Sequence, residues 1–115
     1  MNEHPAIATS CYDHLGGWLG ERLARRLIEL GWVTGDPAPG VTPLGWAGFA
    51  ELGLDLSPLT ASRRKPVAMC RKHIGAHLGS LLYRHLLQAG WLARTEDGLA
   101  LTEAGEAALR RLGVD

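Results

Sequence analysis

Apolar residues recur at helical spacing in two stretches of the chain, each of which ends at a Gly-Trp pair. In the second stretch they form one broad stripe at about 100° per residue, which is the core side of an amphipathic helix. The stripe comprises Val67, Ile74, Leu78, Leu81, Leu82, Leu86 and Ala89. Gly31 and Gly90 lie where a C-cap glycine belongs, so we expect both long helices to end there.

A constant offset aligns these two stretches with each other. Cys11–Gly20 (CYDHLGGWLG) aligns without gaps with Cys70–Gly79 (CRKHIGAHLG), and the two share their cysteine, their histidine and two glycines. With the offset increased by one residue, Val41–Gly45 (VTPLG) aligns with Leu101–Gly105 (LTEAG). Matches in one shared register predict an internal duplication, in which each half is a helix, a hairpin and a second helix.

We therefore predict a single domain over 1–115, of the α+β class and mostly helical. Its expected fold is an internally duplicated winged-helix-like arrangement, helix–hairpin–helix twice, with pseudo-twofold packing of the two long helices. The repeats cover about 8–54 and 67–113, and 55–66 is a surface connector with about one helical turn.

Helix starts are predicted by their capping residues. Thr42 and Thr102 are N-cap candidates for the last helix of each half, and Pro43 suits the first helical position. Ser10 and Asp13 resemble a capping box, which predicts that the first long helix begins at this point.

Glycines recur one turn apart in both predicted long helices, at Gly16 and Gly20 and again at Gly75 and Gly79. A glycine inside a helix costs about 0.5–1 kcal/mol relative to alanine, so matched positions indicate a compensating contact. We expect the two helices to cross at these glycines. The alternative is a local packing need at each of them.

The chain of 115 residues carries 12 basic and 12 acidic side chains, so its formal net charge is zero. This balance argues against a free-standing nucleic-acid binder, although Arg63–Lys65 with Arg71 and Lys72 form a local basic cluster. The sequence has no apolar run of about 18 residues and no signal-peptide pattern. We therefore expect a cytoplasmic protein without membrane contact, whose 2 cysteines are reduced.

Cysteine and histidine recur at one spacing in both halves. Cys70, His73 and His77 fall at i, i+3 and i+7 of the predicted second helix, and the first half offers Cys11 and His14. Thiolate and imidazole are ligands for zinc and other borderline-soft transition metals. These five residues are therefore the candidate metal ligands, and a transition-metal ion such as zinc is the candidate cofactor, although the sequence does not identify it.

Geometry sets a condition on that metal site. If the long helices cross glycine to glycine, the two Cys/His pairs lie on other edges and do not converge within one chain, so a shared site needs a dimer. The alternatives are small buried thiols with core or capping histidines, and a reactive thiol at Cys11, which is predicted at the first helical position.

The two halves differ at three aligned helix positions. Arg22 and Arg26 stand opposite Leu81 and His85, and Trp18 stands opposite His77. The arginines are candidates for an anion pocket, with snorkelling at the core edge as the alternative. Trp18 and Trp46 have no aromatic counterpart and are candidates for a ligand pocket or partner surface, with core packing as the alternative.

Cys11–Gly20 resembles the C-Y-D-H-L-A-G-x-L-G stretch of longer ArsR-type winged-helix transcriptional regulators. Other segments are similar to the rest of their C-terminal half: Leu52–Leu56, Arg63–Pro66, Cys70, His73–Gly79, Leu87–Trp91 and Leu101–Gly105. In that family the region follows an N-terminal DNA-binding domain and is taken to sense an effector or to dimerise. We expect this chain to be that region without the DNA-binding domain, and only Arg71 and Lys72 stand where the family has an insert.

The resemblance covers about Ala8 to Leu112 and implies effector-site roles for Cys11, Asp13, His14, Cys70 and His73. We therefore predict a non-enzymatic regulatory domain that senses a metal ion or small effector. It is expected to be a homodimer whose contact with DNA is weak or runs through another domain or protein. Two alternatives stay open: a DNA-binding winged-helix factor, and a thiol-based redox protein. The effector-site candidates are Cys11, Asp13, His14, Trp18, Arg22, Arg26, Cys70, His73 and His77.

Overall fold

The computed structural model describes residues 9–11, 14–61, 63, 65–70, 72–96 and 98–114, and at 9–11, 14–18 and 98 it describes the backbone alone. In chain order the elements are β1 (Thr9–Cys11), β2 (His14–Gly16), α1 (Gly17–Glu29), β3 (Val33–Thr34), β4 (Gly40–Val41), α2 (Pro43–Glu51), α3 (Ser57–Ala61), β5 (Ala68–Cys70), β6 (His73–Gly75), α4 (Ala76–Gln88), β7 (Leu92–Thr95), β8 (Gly98–Leu101) and α5 (Glu103–Leu112). The strands pair as four antiparallel hairpins, β1–β2, β3–β4, β5–β6 and β7–β8. The predicted α+β class is confirmed. Within the described residues no helix is long and apolar enough to span a membrane.

Both halves have the same order of elements, which is a hairpin, a long helix, a second hairpin and a shorter helix. The first hairpin of each half was not predicted, because its residues were assigned to the long helix. The capping box is therefore wrong: Ser10 lies in β1 and pairs with Leu15, and Asp13 lies outside the described residues. Duplication itself stays a prediction, since a shared order of elements does not establish a shared origin.

The start of α4 explains why the helix does not reach further back. The amides of His77 and Leu78 donate to the carbonyls of Lys65 (3.1 Å) and Pro66 (2.8 Å), so the connector caps the first turn of the helix. Gly75 precedes this turn with an extended backbone and forms no side-chain cap. These contacts come from residues distant in sequence, so helical periodicity does not predict them.

In the second half a threonine and a glycine fix the start of α5. The Thr102 hydroxyl accepts the Gly105 amide at 3.0 Å and donates to the carbonyl of Gly90, the end of the long helix, at 2.6 Å. The Thr102 amide also donates to the Trp91 carbonyl at 3.0 Å. A Cβ at Gly105 would overlap that carbonyl, so glycine is required there. One hydroxyl thus ties two helices together.

The first half repeats this arrangement. The Thr42 hydroxyl accepts the Gly45 amide at 3.0 Å and donates to the Gly31 carbonyl at 2.5 Å. Pro43 occupies the start of α2, as predicted, and a Cβ at Gly45 would overlap the Trp32 carbonyl. The predicted capping roles of both threonines are confirmed.

The core lies between the two halves. Helix α1 packs against β6, α4 packs against β2, and β2 lies beside β6, so each long helix covers a strand of the other half. These reciprocal contacts are those of a pseudo-twofold arrangement. The predicted stripe is mostly buried: Val67, Ile74, Leu78, Leu82 and Leu86 are buried, Leu81 is partly buried, and Ala89 is exposed.

The glycine prediction is correct only in part. Gly20 and Gly79 lie on α1 and α4 and line one narrow space together with Leu82 and Ile74, so the helices do approach there. Gly16 and Gly75, in contrast, lie in β2 and β6 and are not helical. The expected four-glycine helix crossing is therefore wrong.

Gly105→Ala is expected to lower the free energy of unfolding by about 1–3 kcal/mol, because the new methyl group forces the Trp91 carbonyl away from α5. Ala104→Ser at the neighbouring exposed position is the control and should change stability by less than about 0.5 kcal/mol. Urea unfolding measures both. Wild-type stability in Gly105→Ala would contradict the required close approach.

Ala76→Gly is expected to raise stability by up to about 1 kcal/mol. Ala76 has a φ of 57°, in the left-handed region that alanine adopts at a cost and glycine adopts freely. Ala107→Gly on the exposed side of α5 is the control and should lower stability by about 1 kcal/mol. Equal losses in the two variants would show that the backbone at Ala76 is not strained.

Candidate functional site

The two Cys-x-x-His sequences form the tips of two hairpins. Cys70 pairs with His73 across β5 and β6, and Cys11 pairs with His14 across β1 and β2. The predicted helical i, i+3, i+7 series is therefore wrong, because only His77 lies on a helix. The prediction of Cys11 at a helix N-terminus is wrong as well, which removes the physical support for a reactive thiol there.

A hairpin tip suits a pair of ligands better than the predicted helix does. Residues directly opposite each other in an antiparallel pair have Cβ atoms about 4.5–5.5 Å apart and stand on the same face. Metal–ligand bonds of about 2.0–2.3 Å reach from one ion to two such side chains. The backbone register of Cys70 and His73 therefore allows both to bind one ion.

The two hairpins meet in the middle of the molecule. Strands β2 and β6, which carry His14 and His73, approach with Cα atoms within 8 Å of each other. The argument that the two Cys/His pairs cannot converge within one chain rested on helical placement and falls with it. The hairpins that carry the two pairs thus contact each other, and we call this contact the hairpin junction (β1–β2 and β5–β6).

Among the candidate metal ligands at the hairpin tips, those with described side chains differ in burial. His73 has 5% of its surface exposed, and Cys70 is partly buried. Among residues with described side chains, no three of His, Cys, Asp and Glu come together as a metal-binding group. A site at the junction therefore needs the first hairpin, where the side chains of Cys11 and His14, like Asp13 as a whole, lie outside the described residues.

His77 stands apart from this set. It is the second residue of α4 and has 8% of its surface exposed, and its Nδ1 atom is buried with no hydrogen-bond partner. A buried polar atom left unpaired costs about 1–3 kcal/mol. Trp18, its counterpart in the alignment, lies in α1, and its side chain falls outside the described residues.

Arg26 caps a helix of the other half. Its Nε donates to the Leu112 carbonyl at the end of α5 at 2.8 Å, and its guanidinium lies 3.4 Å from the Glu29 carboxylate. Gly113, in the left-handed region with a φ of 91°, leaves room for it, because a Cβ there would come within 2.6 Å of the Nε atom. A cation at a helix C-terminus is also favoured by the helix dipole.

His85, the aligned counterpart of Arg26, makes the reciprocal contact. Its Nε2 donates to the Leu52 carbonyl, at the end of α2, at 3.2 Å. Gly53 beside it also has a left-handed φ, of 85°. The sequence showed the alignment of Arg26 with His85 and the glycine after each helix, and together these two signals were enough to predict paired caps.

The remaining arginine of the predicted anion pocket is exposed at Arg22. Because Arg26 is held by α5, the structure gives it a structural contact, and a role of either arginine in effector binding stays a prediction. Trp32 and Trp91 are partly buried against the core, and their rings meet those of Phe49 and His85 edge-on, with ring centroids 5.2 Å and 5.6 Å apart. Trp46 is exposed.

Cavities between described residues are small. The space lined by Gly20 and Gly79 measures about 10 Å³, and one between Phe49, His85 and Trp91 measures about 20 Å³. A single water molecule needs about 10–15 Å³ on this measure. Neither cavity accommodates an organic effector.

The basic cluster remains on the surface. Arg63, Lys65 and Lys72 are exposed, and Arg64 and Arg71 lie outside the described residues. In each half one described helix, α1 or α4, precedes the second hairpin, whereas a DNA-reading winged helix places two helices there. Contact with DNA stays a prediction.

The chain is similar to the uncharacterized HTH-type transcriptional regulator YdfF of Bacillus subtilis (strain 168), with 29% identity over 114 residues. The match covers 91% of this chain and 50% of the relative, so the chain spans about half the relative's length. No family model and no solved structure matches the chain. A role of this chain in transcription regulation, without enzymatic activity, is therefore a proposal.

Arg26→Met is expected to lower the free energy of unfolding by about 1–2 kcal/mol, because it leaves the end of α5 without its charged donor. Arg25→Met is the matched control, since Arg25 is exposed on the same helix, and should stay within about 0.5 kcal/mol. Thermal and urea unfolding measure the difference. Equal effects of the two substitutions would show that the cap contributes nothing.

Proposed function

We propose that this chain is the effector-sensing part of a transcriptional regulator and that its effector is a borderline-soft transition-metal ion such as zinc. The observation that carries the proposal is the meeting of two Cys-x-x-His hairpins at one junction, through β2 and β6. The likeness to an HTH-type regulator supports the regulatory part of the proposal.

The donor set fits a tetrahedral metal. Two thiolates and two imidazoles, from Cys11, His14, Cys70 and His73, form the Cys₂His₂ set of closed zinc sites. Such a set favours zinc and its neighbours over magnesium or calcium, which prefer oxygen ligands. Thiols must lose their protons to bind as thiolates, so affinity is expected to fall as the pH is lowered.

The junction is placed to transmit binding to the rest of the domain. Helix α1 begins at Gly17, directly after β2, and α4 begins at Ala76, directly after β6, with no linker in either case. An ion that holds the two hairpins together therefore fixes where both long helices start. Arg26 and His85 then carry that position to the ends of α5 and α2.

Metal binding is tested on protein purified under reducing conditions and freed of metal with a chelator. Titration with Co²⁺ is expected to give the visible absorption of a tetrahedral ion, with a thiolate charge-transfer band, at one ion per chain. Zn²⁺ should displace it and raise the melting temperature, since an ion that binds only the folded state stabilises it by mass action.

Substitutions distinguish residues that bind the metal from residues that do not. Cys11→Ser and Cys70→Ser should each weaken the thiolate band and lower metal affinity by at least about 10-fold. His4→Gln, outside both motifs, is the control and should leave stoichiometry and affinity unchanged. Absence of the band in the wild type, or full affinity in both cysteine variants, would rule out metal sensing at the junction.

A further inference from the structure

The outer face of α2 is apolar. Apart from Glu51 at its C-terminal end, five residues of this helix are exposed and none of them carries a charge: Pro43, Leu44, Trp46, Ala47 and Ala50. Leu44 is 59% exposed and Trp46 is 39% exposed. We call these five residues the α2 face. Exposed large apolar side chains that adjoin one another mark an interaction surface more often than isolated ones do.

Helix α5 is the natural comparison for the α2 face, because its equivalent positions are exposed and several of them are charged. Both helices are capped by a threonine and bury the same positions, Gly45, Gly48 and Phe49 in α2 and Gly105, Ala108 and Leu109 in α5. Their outer faces are therefore equivalent. Where α2 has Pro43, Trp46 and Ala50, α5 has Glu103, Glu106 and Arg110.

The apolar character extends to the neighbouring helix of the same half. Among the described residues, the exposed large hydrophobic side chains are Ile28, Leu44 and Trp46, all in the first half. Leu87, the aligned counterpart of Ile28, is only partly exposed. The first half is thus the side of the molecule that presents an uncovered apolar surface.

We infer that the α2 face is the contact between two copies of this chain. Glu51, at the C-terminal end of α2, is the nearest charge along the helix. The α2 face therefore offers no ion pair to a strongly charged partner. A second apolar face of the same shape does complement it, and the zero net charge of the chain lets two copies approach without repulsion.

A two-fold pairing of antiparallel α2 helices satisfies these conditions. The small side chains of Ala47 and Ala50, one turn apart, leave room for the indole of the partner's Trp46. Antiparallel packing puts Glu51 and the partner's Glu51 at opposite ends, which at 1.5 Å per residue are roughly 12 Å apart. Such an interface is isologous, as in most homodimers.

The small area of the α2 face limits the affinity that we expect between two copies. A helix of 9 residues is about 13 Å long, and one face of it offers less than the roughly 800 Å² per partner of a standard interface. We therefore expect reversible self-association with a dissociation constant in the micromolar range, about 1–100 µM.

The test is sedimentation equilibrium of the whole chain across that concentration range. Trp46→Glu and Ala50→Arg give α2 the residues that α5 carries at the aligned positions, so the helix is expected to tolerate them. Each should raise the dissociation constant at least about 10-fold, because it places two like charges near the two-fold axis. Glu106→Gln and Arg110→Ala on α5 are the matched controls and should leave it unchanged.

Circular dichroism and thermal unfolding check that every variant is folded before its association is measured. A wild type that stays monomeric at the highest concentration overturns the inference, as does a dimer that persists unchanged in folded Trp46→Glu and Ala50→Arg. Metal titration is scored separately, so loss of the dimer does not bear on the hairpin junction.

Discussion

The contact between β2 and β6 is the one on which the rest of the structure depends. Each long helix begins at the residue after one of these strands, so their contact sets where α1 and α4 lie. Each helix then packs on the strand of the other half. Halves of about 50 residues bury a smaller fraction of their surface than a larger domain does, and the reciprocal packing gives both a shared core.

Polar contacts at the helix ends follow the same reciprocal pattern between the two halves. Arg26 of the first half caps α5 of the second, and His85 of the second half caps α2 of the first. A helix end leaves carbonyl groups without intrahelical partners, and here the other half supplies one donor to each end. Packing at the centre and capping at the periphery therefore obey the same pseudo-twofold relation.

Local chemistry allowed much of this fold to be predicted. Thr42 and Thr102 each accept the amide three residues further on, and Gly31 and Gly90 have left-handed φ values at the helix ends, so these roles follow from local spacing. The first hairpins did not follow, because their residues have helical spacing and the start of α4 is fixed by Lys65, a residue of the connector. That error placed Cys70 and His73 on a helix instead of at a hairpin tip, and so gave the candidate site the wrong geometry.

Comparison of the two halves separates residues that the fold requires from residues that it does not. Gly45 and Gly105 recur because any Cβ would strike a tryptophan carbonyl. The hairpin tips are a different case, because the register that pairs Cys70 with His73 sets which residues face each other and does not select their side chains. Cysteine and histidine nevertheless recur at both tips, and the proposed metal site would account for that recurrence.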